Sequence, residues 1–159
     1  FERVLEKGTE LGVDVFCPLI LERCEVRIPE KKIKQRQERW EKIIYESSRQ
    51  SNRIPPPLKK PLQNLEEFIY ETKKDDIKIF GYIGENQKSL HEVLDIKELK
   101  ENLSVSILTG PEGDLSPEES KKVMLAGFIP VSLGPRILRA DTAPISIISI
   151  IQYTLGEMP

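Results

Sequence analysis

Apolar positions along this chain recur at two spacings, and the switches between them divide it into short strands and helices. Phe1, Val4, Leu5 and Leu11 fall near the helical period, and Gly12 stands where a left-handed residue closes such a helix. Residues 13–21 (VDVFCPLIL) follow as a β-favouring run, with Pro18 pointing to an edge strand or bulge because it cannot donate to a ladder. Pro29 then introduces a helical pattern over residues 30–51. At about 100° per residue, Ile33, Trp40, Ile43, Ile44 and Ser47 share one face of it. Arg39, Lys42, Glu46, Arg49, Gln50 and Arg53 lie on the other.

The prolines at 55–57 and Pro61 read as an extended surface connection. A short helix over 65–70 leads to a strand at 77–83 (IKIFGYI), and residues 85–102 are polar, with at most a helical turn or two. Residues 103–109 (LSVSILT) alternate as a strand. Ser116, Pro117 and Glu119 then spell a helix start, with Ser as N-cap, Pro at the first helical position and Glu completing a capping box. Gly127 closes that helix, and 130–133 is the next strand. The final segment, 143–155, holds five isoleucines, which propensity alone would assign to a strand. Ser146, Ser149 and Gln152 nevertheless form one polar stripe on an otherwise apolar cylinder, so the reading is a helix starting near Asp141 or Thr142. Asp141 is its candidate N-cap. A helix apolar on nearly every side asks for cover, and a second subunit would supply part of it through Ile147, Ile148, Ile151 or Tyr153.

Alternating strands and helices predict an α/β domain, a sheet covered on both faces. With 159 residues the chain suffices for one such domain with a real core. Charge narrows little: 24 Lys and Arg against 26 Asp and Glu leave any cationic surface to local clustering. Such a cluster occurs over 31–53, with eight basic and three acidic residues, a local net charge of +5. It reads either as a phosphate-binding face or as an ordinary solvated helix exterior. Cys17 and Cys24 read as reduced, packed thiols, and two cysteines with one histidine cannot fill a zinc shell without carboxylates, so no metal is expected. No role is assigned to His91. No apolar run approaches the ~20 residues of a membrane span, and the expected location is cytoplasmic, away from membranes.

Candidate chemistry lies in two loops. Residues 108–114 (LTGPEGD) and 131–143 (VSLGPRILRADTA) each set Gly and Pro directly after a short apolar run, the pattern of a strand ending in a tight loop. Neither is a standard phosphate loop. Together they suggest one pocket, in which Gly110, Gly113 and Gly134 would let backbone come close to a ligand and Ile137 and Leu138 would supply apolar walls.

The wording LTGPEG…SLGPRILRADTA resembles the RsmE family of the SPOUT superfamily. Residues 7–13 (KGTELGV), 22–24 (ERC), Arg39 with Trp40, Glu46, Gln50 with Ser51, and Arg53 resemble RsmE segments in the same order. The resemblance implies a single SPOUT methyltransferase domain over 1–159, a mostly parallel sheet with a C-terminal trefoil knot, working as a homodimer. It further implies S-adenosylmethionine as cofactor, held by Leu108, Thr109, Gly110, Pro111, Glu112, Gly113, Leu133, Gly134, Ile137, Leu138 and Arg139. The implied reaction is methylation of uracil N3 in 16S ribosomal RNA, free or in the small subunit; the alternative is a SPOUT protein that binds RNA with weak or no catalysis. Family members also carry an N-terminal RNA-binding domain of PUA type, which is expected to be missing from this chain.

In that reading Arg139 clamps a uracil carbonyl and stabilises developing negative charge, and Asp141 accepts the proton or orients Arg139. Arg49 and Arg53 are the candidate RNA contacts. Two departures stand out. The family usually reads LRTETA where this chain has LRADTA at 138–143, one methylene shorter at the carboxylate and lacking a hydroxyl. Asp114 and Leu115 stand where a second glycine and an aromatic are common.

Overall fold

The computed structural model describes residues 1–24, 29–84, 87–94 and 103–158. Helix α1 (Glu2–Glu10) runs to Leu11, after which Gly12 takes φ +95° and turns the chain into strand β1 (Val15–Phe16). The strand is shorter than the 13–21 run suggested. Beyond the two ladder residues, Pro18 contributes only its carbonyl, which accepts from the Gln63 amide at 3.1 Å. Helix α2 (Glu30–Gln50) covers the predicted span and buries Trp40, Ile44 and Ser47. The proline-rich connection then yields a strand that its composition concealed: β2 (Leu58–Lys59) pairs in parallel with β1 as a separate two-stranded sheet.

Helix α3 (Leu65–Glu71) opens with a capping box from Asn64 and Glu67, followed by a turn of 3₁₀ helix. The main sheet is built from β3 (Ile77–Gly81), β4 (Lys88–Ser89), β5 (Val105–Thr109) and β6 (Ile129–Ser132), in the order β4-β6-β3-β5 and parallel throughout. The two-residue β4, with the short α4 (Leu90–Leu94) after it, lies in the segment whose pattern was indistinct. Helix α5 (Pro117–Leu125) starts on the predicted Ser116–Glu119 capping box and ends before Gly127, at φ +87°.

Strand alternation sorts the core onto two faces. Ile77 and Ile79 of β3 pack with Val131, with Leu90 and Val93 of α4, and with Ile147 and Ile151 of α6 (Thr142–Thr154). Phe80 and Leu108 point the other way, into Leu65 and Phe68 of α3, Val123 of α5 and Phe128. The sheet is therefore covered on both sides, as predicted. A third cluster, Leu5, Phe16, Trp40 and Ile44, joins α1 and α2 to β1. The isoleucine-rich end is helical, and its Ile147, Ile148 and Ile151 are buried within this chain. That corrects the expectation that these three wait for a partner; Ile150 and Tyr153, 42% and 73% exposed, are the apolar residues left uncovered.

Candidate functional site

Register decides where the two glycine loops emerge. Gly81 at the end of β3 lies opposite Thr109 on one side and Val131 on the other, so β5 and β6 deliver their C-terminal loops to the same edge of the sheet. In open parallel sheets that edge, between strands whose connections run to opposite sides, is where ligands bind. A cleft of about 1580 Å³ runs from there along the whole of β5, past Leu103 to Ile107 and as far as Asp75, so the loops border one end of it. Leu108, Thr109, Gly110, Pro111 and Glu112 line it from the first loop, and Ile137, Leu138, Arg139 and Asp141 from the second, while Phe1, Arg3 and Trp40 contribute from α1 and α2.

Three of the predicted cofactor residues are not part of that wall. Leu133 packs against the core beneath the sheet. Gly113 faces Arg23, whose Cβ would be 3.2 Å from a Cβ added there. Gly134 is exposed, with open space around its Cα, and its φ of +102° is what requires glycine. Gly110 does border the cleft, but a Cβ there would meet the protein's own loop, 2.8 Å from Asp114 Oδ1 and 2.9 Å from Leu115 Cδ1. Its lack of a side chain therefore serves the turn itself. Asp114 takes φ +57°, the left-handed region in which a glycine would rest without strain, and its own Oδ1 accepts from the Leu115 amide at 2.8 Å.

Arg139 is exposed, and its guanidinium makes no hydrogen bond or ion pair among the described residues. Its carbonyl accepts from the Thr142 and Ala143 amides at 2.9 and 3.0 Å, fixing the backbone that carries it. Asp141 occupies the N-cap position of α6, yet its carboxylate makes no capping bond to the helix. It reaches sideways, to Arg3 at 3.4 Å and the Thr142 hydroxyl at 3.3 Å. The backbone explains this, since Asp141 has helical φ and ψ (−91°, −25°) and the β-region geometry of a side-chain cap is lost. Burial works to raise its carboxyl, but Arg3 beside it, the Thr142 hydroxyl and the charge on Arg139 outweigh that and hold it below the ordinary aspartate value. A carboxylate so stabilised is a poor proton acceptor near neutrality and a good electrostatic anchor for arginines.

The two RNA candidates part company. Arg49 is exposed on α2, with no side-chain partner among the described residues. Arg53 turns inward and caps the C-terminal end of α1, donating to the carbonyls of Thr9 at 3.1 Å, Val13 at 2.5 Å and Gly12 at 3.3 Å, and to Asp14 at 2.7 Å. Its donors are committed to the fold, which corrects its placement as a phosphate contact. Elsewhere on the basic face Arg39 pairs with Glu2 at 2.6 Å and Lys42 with Glu46 at 3.8 Å.

Cys17 and Cys24 are free thiols, and burial, with Glu71 nearby, pushes the Cys17 thiol up, away from nucleophilic chemistry. Among the described residues no group of three or more His, Cys, Asp or Glu side chains is placed to hold a metal ion, and no helix is long and apolar enough to cross a membrane. Spacing gave no sign of Arg3 or Arg23, the arginines that tie other parts of the chain to Asp141 and to the first glycine loop. The only signal for Arg23 was its place in the ERC triplet.

The family model described as an RNA methyltransferase domain matches residues 1–152. The chain belongs to this family. Ribosomal RNA small subunit methyltransferase E of Bacillus subtilis is 31% identical over 96% of this chain and 60% of its own length, and that of Aquifex aeolicus 36% over 94% and 61%. Among solved structures, the putative methyltransferase Lpg2936 of Legionella pneumophila, in complex with its cofactor SAM, has a TM-score of 0.85 and 34% identity, covering 96% of this chain and 60% of that one. The ribosomal RNA small subunit methyltransferase E of Neisseria gonorrhoeae bound to S-adenosyl methionine has 0.82 and 30%, over 95% and 60%. This RNA methyltransferase domain thus spans about three fifths of the length of these relatives.

Proposed function

We propose that the protein transfers a methyl group from S-adenosylmethionine to N3 of a uracil in 16S ribosomal RNA, and that residues 1–159 are its methyltransferase domain. The observation that carries this reading is the convergence of residues 108–112 and 137–141 on one cleft at the C-terminal edge of a parallel sheet, in a chain whose family is RNA methyltransferases. Relatives named for small-subunit ribosomal RNA methylation, and structures solved with the cofactor, support the substrate and cofactor classes.

The cleft fits the cofactor chemically. Where the loops border it, it combines apolar Leu108, Ile137 and Leu138 with polar Thr109 and Glu112, the mix of apolar walls and a few directed polar groups that such a ligand needs. When bound, the cofactor supplies a methyl on a sulfonium centre as electrophile. Leu108 to Glu112 and Ile137 to Leu138 would hold it. The chemistry asks the protein to orient N3 in line with that methyl and to stabilise the charge that appears on the uracil carbonyls as the N3 proton leaves. Arg139, exposed at the cleft, is the group we assign to that charge. The N3 proton passes to solvent water as the N–C bond forms, and Asp141, beside Arg3 and Arg139, orients Arg139 electrostatically.

We further propose that the domain works as a homodimer through the uncovered Ile150 and Tyr153 of α6, that its C-terminal segment is threaded as a trefoil knot, that Arg49 contacts RNA phosphate, and that it acts in the cytoplasm. Transfer of labelled methyl from S-adenosylmethionine into 16S RNA by the purified protein tests the reading. Label in the RNA is the expected result; cofactor binding without transfer to RNA, free or assembled, would favour the RNA-binding alternative.

A further inference from the structure

The first glycine loop is fastened by Arg23, whose neighbours Glu22 and Cys24 line the same cleft. Residues 108–112 line the cleft, whereas the carbonyls of Gly113 and Leu115 accept from the Arg23 guanidinium at 3.1 and 3.4 Å. A second tie lies next to it: one oxygen of Glu119 accepts from the Glu22 amide at 2.8 Å while the other accepts from the Ser116 amide at 2.9 Å. The capping box of α5 is thereby joined to the 22–24 segment, some ninety residues away in sequence.

The loop needs such a restraint. Asp114 is held at φ +57°, which an L-residue adopts at a cost, and the turn is closed locally by the Asp114 amide on the Pro111 carbonyl at 2.9 Å and by the Asp114 side chain on the Leu115 amide. Leu115, 4% exposed, anchors the far end in the core beside Leu21. Between the anchored Leu108 and Leu115, Nη1 of Arg23 is, among the described residues, the side-chain donor that grips the loop's backbone, shared between the two carbonyls.

We propose that Arg23 is a positioning residue for cofactor binding: it touches no ligand, and it holds residues 110–115 in the conformation that the cleft presents. This rests on the assignment of S-adenosylmethionine to the cleft. When the binding-competent loop is only part of the population, apparent affinity falls by that fraction while the bound complex is unchanged. A positioning role therefore predicts weaker cofactor binding with near-normal turnover once the cofactor is saturating. A merely structural role would lower the melting temperature and the active fraction without moving Kd.

The test is calorimetric titration of the protein with S-adenosylmethionine, together with hydrogen exchange over residues 108–116, for wild type, Arg23→Ala, Arg23→Lys and Lys122→Ala. Lys122 lies on α5 in a surface pair with Glu66 and serves as control. Arg23→Ala is expected to weaken binding about tenfold and to speed exchange in 108–116 alone, Arg23→Lys to recover part of the affinity because an ammonium can reach one carbonyl, and Lys122→Ala to match wild type. Wild-type affinity in Arg23→Ala, or faster exchange throughout the domain, overturns the proposal. Failure of the wild type to bind the cofactor at all would overturn instead the assignment on which it rests.

Discussion

Replacing Arg53 by alanine separates two accounts of one residue. Three carbonyls at the end of α1, of Thr9, Gly12 and Val13, lose a charged donor, and the side chain that supplies it is only 20% exposed. Hydrogen bonds to charged groups contribute about 1.5–3 kcal/mol each, but the three share one guanidinium and water can enter at its exposed edge, so a total of about 3 kcal/mol is the reasonable figure. The pair with Asp14 adds little, because that carboxylate is 91% exposed. For a domain of this size, about 2–4 °C per kcal/mol gives a fall of roughly 6–12 °C in Tm. Urea unfolding followed by circular dichroism at two salt concentrations measures it, and the loss should hardly change with salt. A stability loss below about 1 kcal/mol, accompanied by weakened RNA binding, would refute this reasoning and return Arg53 to the RNA-facing surface.

Other outcomes follow from the same geometry. Arg139→Ala should cut single-turnover methylation of ribosomal RNA about a hundredfold, on the order of 3 kcal/mol, with cofactor affinity unchanged; turnover near wild type would reject its role. Since the Asp141 carboxyl is held below its ordinary value of 3.8 in the folded protein, its contribution to stability is present above about pH 4 and disappears as pH falls through the lowered value. Asp141→Asn should therefore flatten that acid limb of the Tm–pH curve, while an unchanged limb would count against the Arg3 pairing. Light scattering at micromolar concentration should give a dimer for wild type and a monomer for Ile150→Glu with Tyr153→Asp, and a monomeric, folded wild type would contradict the proposed interface.

Local chemistry was legible where one residue dictates backbone geometry. Ser116, Pro117 and Glu119 fix the start of α5, and Gly12 and Gly127 end their helices at positive φ because no side chain opposes it. The stripe of Ser146, Ser149 and Gln152 outweighed isoleucine propensity in α6, where tertiary burial of Ile147 and Ile151 decides the outcome. Strands β2 and β4 went unread because two ladder residues each leave no period to detect. Pairings distant in sequence were equally silent. Arg53 sits on the polar side of a helical wheel and still turns inward, since the chain has left α2 by then and the carbonyls of α1 lie within its reach. Asp141 looked like a cap because it precedes a helix, but the backbone angle that would make it one is visible only in the fold.

The most direct test of the central claim is nucleoside analysis by mass spectrometry. Small-subunit particles or 16S RNA lacking the modification would be incubated with the protein and S-adenosylmethionine, digested and separated. The account predicts one added methyl per RNA, recovered as N3-methyluridine, and its absence when Arg139 is alanine. A methyl recovered on ribose or on another base, or no methyl despite measured cofactor binding, would contradict it.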